Sequence, residues 1–171
     1  MSDLIIIEDP SQYPIPDEGL HHGLCVDAIS IGRIETPWGS KEKVSLMFEL
    51  ESTDENGKRF IVGKRFTKSL NEKASLRKFL EKWRGDKYSP KELQEGINLE
   101  NYVGMSATLF LVHNETDERT YSNIESIIPY KDPASGEVSY FALKPSGEYI
   151  RVTKRPDYQP SEEFSANGVT S

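Results

Sequence analysis

Apolar and polar residues alternate along much of the chain, then change period once. Between Lys41 and Glu51, Val44, Leu46, Phe48 and Leu50 fall on one side, and Lys43, Ser45, Met47 and Glu49 on the other. That period of two is the mark of a strand with one buried face. Gly19–Ile31 reads as a strand before it and Arg59–Ser69 as one after it, with Phe60, Val62, Lys64, Phe66 and Lys68 sharing a face. The segment Glu35–Ser40, punctuated by Pro37 and Gly39, predicts the first turn. Asp54-Glu-Asn-Gly57 predicts the second, since Asn-Gly tolerates positive φ.

Beyond Ser69 the period lengthens. Leu76, Phe79, Leu80 and Trp83 recur at i, i+3, i+4 and i+7, one apolar stripe on a helix. Ser69-Leu-Asn-Glu72 fits a capping box at its start, and Gly85 suits its C-terminus. Ser89-Pro-Lys-Glu92, with Pro90 at the first helical position, predicts a second short helix to Gln94 or Glu95. Leu99–Val103 predicts one more turn, ended by Gly104. Strand character returns over Met105–His113 and Thr120–Tyr130.

Three strands, a helical segment and two strands form the element order of the OB-fold, a five-stranded Greek-key barrel, here with a C-terminal extension. A small sandwich or another α+β sheet is the rival architecture. The expected divisions are an extended arm over 1–18, the OB-fold domain over 19–130, a small hairpin (Val138–Leu143 with Tyr149–Val152) within 131–154, and a disordered tail over 155–171.

Charge changes the picture more than composition does. The chain has 171 residues and a formal charge of −7, which excludes a uniformly basic DNA-coating protein. Yet residues 58–91 hold twelve basic and three acidic side chains, a net +9, leaving −16 on the remainder. The segment reads either as a solvated helix face beside lysine-rich strand edges or as a local footprint for a polyanion. Lys73, Arg77, Lys78, Lys82 and Arg84 lie on the helix's polar side in either case.

Candidate chemistry is sparse. Cys25 is the only cysteine, so neither an internal disulfide nor a tetrathiolate metal site is expected. His21 and His22 are adjacent on a strand and point apart, and His113 has no matching ligand. No nucleophile elbow, zincin or phosphate-loop motif occurs, so no enzyme activity, metal or cofactor is expected. No apolar run reaches the ~18–20 residues that span a bilayer. The N-terminus has no basic region ahead of Ile5-Ile6-Ile7, so a cytoplasmic protein with no membrane partner is expected.

Thr36-Pro-Trp-Gly-Ser-Lys41 before the strand Lys43–Leu50, Ser75-Leu-Arg-Lys-Phe-Leu-Glu-Lys-Trp-Arg-Gly85, and Tyr121-Ser-Asn-Ile124 together carry a resemblance. Over roughly residues 19–130 the chain resembles a family of small bacteriophage- and prophage-encoded OB-fold proteins that bind single-stranded DNA in replication or recombination. The resemblance implies a host-cell cytoplasmic setting, single-stranded DNA as ligand, and replication or recombination proteins as possible partners. It carries over no binding residue. The chain's end, Asn167-Gly-Val-Thr-Ser171, lacks the acidic, apolar-tipped peptide of bacterial single-strand-binding proteins.

Strand-binding OB-folds pair a basic groove with aromatic rings on which bases stack, usually across the second and third strands. The candidates are Trp38, Lys41 and Lys43 from the first turn and second strand; Arg59, Lys64, Arg65, Phe66 and Lys68 from the third; and Tyr121 near the last turn. Trp38 either folds back on the barrel or stands out to stack. Phe66 and Tyr121 are each either core or stacking residues. Trp83 and Phe48 are read as core. Arg65 lies opposite Lys64, Phe66 and Lys68 unless a bulge at Gly63 shifts the register. The rival function is an OB-fold interaction module recruiting a replication or recombination protein, which suits the acidic remainder.

Overall fold

The structure, a computed structural model, describes residues 14–159. Five strands lie in it: β1 (Gly19–Thr36), β2 (Gly39–Thr53), β3 (Arg59–Thr67), β4 (Ser106–Glu115) and β5 (Thr120–Pro129). Helices α1 (Ser75–Arg84) and α2 (Pro90–Glu95) and a 3-10 turn, Leu99–Tyr102, fall between β3 and β4. The fold is therefore mainly β with few helices. No helix among the described residues is long and apolar enough to cross a membrane.

All neighbouring strands are antiparallel, and the order across the sheet is β3-β2-β1-β4-β5. β1 serves two neighbours: Gly19–Leu24 pairs with β4, and Gly23–Thr36 pairs with β2. Register shifts between Cys25 and Asp27 and between Ser30 and Gly32 add the local twist such irregularities bring. The open sheet curls enough that its edge strands meet, where Lys64 Nζ donates to the Ile124 carbonyl at 3.1 Å.

The concave side is filled from β2 by Val44, Leu46, Phe48 and Leu50, and from α1 by Leu76, Phe79, Leu80 and Trp83. Trp83 packs 5.3 Å from Phe48 and 5.1 Å from Tyr102, centroid to centroid. Its indole N–H donates to the Ser106 carbonyl at 2.9 Å, so the buried ring leaves no orphan donor.

α1 starts later than its sequence suggests. Its N-cap is Ala74, with no side-chain cap, whereas Ser69 and Asn71 cap turns ahead of the helix through Asn71 N and Lys73 N. The box at Ser89 and Glu92 does cap α2, in both directions. Gly85 ends α1 at φ 74°, a left-handed conformation that favours glycine.

The expected hairpin of Val138–Leu143 with Tyr149–Val152 is absent. After an isolated bridge between Lys131 and Val138, the chain runs over the convex side of the sheet to a 3-10 turn at Val152–Lys154. It forms no further strand there and is held mainly through side chains, with one backbone bond from Ser106 N to the Tyr140 carbonyl. The arm's residues 1–13 and the tail from 160 lie outside the described residues.

Candidate nucleic-acid interface

The convex face of β1–β2–β3 carries every second residue of β2. Lys43 lies across from Gly32 and Thr67, Ser45 from Ile29 and Arg65, Met47 from Asp27 and Gly63, and Glu49 from Leu24 and Ile61. One strand thus runs from basic to acidic along a single face.

At the basic end, β1 and β2 continue as a hairpin to a two-residue turn, Pro37-Trp38. Thr36 Oγ1 closes it, accepting from Trp38 N at 3.1 Å and donating to the Gly39 carbonyl at 2.6 Å. Trp38 is 83% exposed, so it stands out rather than folding back. Lys41 is exposed nearby, and Lys43 Nζ donates to Thr67 Oγ1 at 2.7 Å. Arg65 is exposed on the neighbouring strand. Among the described residues, Lys41, Lys43 and Arg65 form no ion pair.

At the other end, two carboxylates lie buried under the C-terminal strap, residues 140–158. Asp27, 1% exposed, accepts from Tyr149 OH at 2.9 Å, Arg151 Nε at 3.0 Å and Val152 N at 2.8 Å. Glu49, also 1% exposed, accepts from Ser146 N and Oγ, both at 2.7 Å, and from Arg59 Nη1 at 3.1 Å. Arg151 also forks onto Glu100, whose carboxyl is held below its usual range by that bond, while the guanidinium is pushed up. Burial and the Asp27 bond push the Tyr149 hydroxyl up to about 12. The strap is tied to β4 as well: Ser106 N donates to the Tyr140 carbonyl at 2.6 Å, and Leu143 N to Ser106 Oγ at 3.0 Å.

Several expected binding residues are thereby reassigned. Phe66 is 2% exposed and sits 4.9 Å from the Phe79 ring, so it is core and offers no face for a base. Arg59 is committed to Glu49 and to the Lys144 carbonyl at 2.9 Å. Lys64 reaches across the sheet seam to Ile124 and lies over the Phe66 ring. Lys68 is exposed but points with Phe66 toward the other face, 4.0 Å from Glu42. No bulge occurs at Gly63, because pairing runs unbroken from Lys43–Thr67 to Glu49–Ile61. Met47 Sδ lies 2.5 Å from where a Gly63 Cβ would stand, so a side chain there would push the flexible end of Met47 aside.

Tyr121 is half-buried under the Arg119 guanidinium, 4.4 Å from its ring centroid. It lines a recess of about 280 Å³ beside Phe60–Gly63, at the far end of β3 from Thr67. Lys41, Lys43 and Arg65 therefore follow one another along one end of the sheet, with Trp38 at the hairpin tip beyond them, and Tyr121 lies apart. On α1, Arg77 and Arg84 are paired with Glu81 and Glu92, leaving Lys78 and Lys82 exposed.

The histidines are structural: His21 bonds Ser52, His22 bonds Thr108, and His113 bonds the Pro16 carbonyl. Among the described residues there is no cluster that could hold a metal. Burial pushes the Cys25 thiol up to about 12, the signature of an inert core cysteine. The sequence matches no family model and no curated protein.

Proposed function

We propose that this protein is an OB-fold that binds single-stranded DNA without sequence preference, in phage replication or recombination. The element order and the strand order β3-β2-β1-β4-β5, with its edges brought together at Lys64, support the fold assignment. The observation that carries the functional reading is the row of Lys41, Lys43 and Arg65 along one face, without a carboxylate partner among the described residues, leading from the hairpin whose tip carries the exposed Trp38. Unpaired cations can exchange condensed counterions for phosphates, and an exposed indole offers a stacking face to any base.

Titration of a fluorescent oligo-dT at low and moderate salt tests this reading. Affinity falls with salt at about 0.7 logarithmic units per phosphate neutralised, so three contacts give a slope of about −2. Absence of binding at micromolar protein in low salt overturns it.

A further inference from the structure

We propose that the strap is itself part of the nucleic-acid-contacting surface, rather than a cover that a ligand must displace. This inference rests on the single-stranded DNA reading above. A segment crossing the proposed binding face of a sheet invites the opposite view, that it blocks the site. The groups beneath it argue otherwise. Lifting the strap would uncover Asp27 and Glu49, take Arg151 away from Asp27 and Glu100, and strip Glu49 of its two bonds from Ser146. A polyanion would then meet two uncovered, charged carboxylates.

With the strap in place, those carboxylates are covered and hydrogen-bonded, Asp27 by Tyr149, Arg151 and Val152 and Glu49 by Ser146, and the strap turns other groups outward. Lys144, Lys154 and Arg155 are exposed. Phe141 is 70% exposed, and Ile150 and Tyr158 also stand in solvent. Arg155 lies over the Tyr149 ring at 5.4 Å, a ready-made cation and ring pair. The strap's anchor at Asp27 lies just two residues along β1 from Ile29, whose row holds Ser45 and Arg65. The basic hairpin and the strap thus border one another on the same convex face. Phosphates would run from Lys41, Lys43 and Arg65 toward Lys154 and Arg155, with Tyr158, whose N–H bonds the Arg155 carbonyl, as a further stacking surface. The Glu148 and Asp157 side chains temper the strap's charge, so its contribution should be smaller than the hairpin's.

The test compares three variants of the full chain against fluorescent oligo-dT: K144A/K154A/R155A on the strap, K41A/K43A/R65A on the hairpin side, and D27N/R151M, which loosens the strap. The strap variant should melt like the wild type, bind several-fold more weakly and show a shallower salt slope. D27N/R151M should also bind more weakly. Wild-type-like binding by the strap variant, with the hairpin-side variant impaired, overturns this proposal and leaves the function standing. Tighter binding by D27N/R151M also overturns it, showing a cover. Failure of the wild-type chain to bind removes the function and this inference together.

Discussion

The two ends of the convex face are built from the same strands with the same alternation, yet they treat charge in opposite ways. Glu49 and Asp27 are almost fully removed from water, and each is met by three donors from residues distant in the chain or on the strap. Lys41, Lys43 and Arg65, on neighbouring rows, keep their charges in solvent without a carboxylate partner among the described residues. A desolvated charge is tolerable only with its partners in place, whereas a hydrated one can remain unpaired and available. Burial therefore marks the acidic end as structural, and its lack marks the basic end as the place where an external anion can add something.

The sharpest way to break this contrast is to remove a partner at the acidic end. Arg151→Met leaves Asp27 buried without its cation, held only by neutral donors. Urea unfolding should show a loss of about 3–5 kcal/mol, partly restored in D27N/R151M. No loss would mean that Asp27 is less dependent on the strap than its contacts indicate. At the basic end the same measurement should barely move. Trp38→Ala should change stability by less than about 0.5 kcal/mol, while weakening oligo-dT binding by about 1–3 kcal/mol, the usual worth of one stacked base.

The smallest effects come from pH. Glu100 has a lowered pKa, so its bond to Arg151 contributes fully above its ordinary value of 4.5 and fades as pH falls through the lowered one. Tyr149 is raised from 10 to about 12, so its bond to Asp27 contributes fully below pH 10 and is lost toward 12. Tyrosinate absorbance in wild type and Tyr149→Phe should differ by one hydroxyl ionising near 12. A difference near 10 would place Tyr149 in water.

Much of the sheet was legible because alternation is local: Val44 to Leu50 announce their buried face without reference to anything else. Trp83 and Gly85 were legible for the same reason, since a helix stripe and its stop lie within ten residues. The box at Ser69 misled because the same pattern can cap a turn that never becomes the helix, as Ser69 and Asn71 do here. Arg59 and Phe66 could not be assigned from β3 alone. The first depends on Glu49 across the sheet, and the second on Phe79 of α1. The strap was the least legible element, because its anchors join residues 97 to 125 positions apart. Asp27 and Glu49 look like ordinary solvent-facing strand positions until that segment arrives.

Such sequence separation also bears on the order in which the chain assembles. Strands β1 and β2 meet across a two-residue turn, so their closure is fast, whereas the strap must find Asp27, Glu49 and Ser106 after the sheet that presents them has formed. Its contacts are expected to form on the late side of the folding barrier. Ser146→Ala should therefore accelerate unfolding and leave the folding limb of a chevron plot nearly unchanged, with a φ-value near zero. The bonds that fix the convex face would then govern how long the native state lasts more than how quickly it is reached.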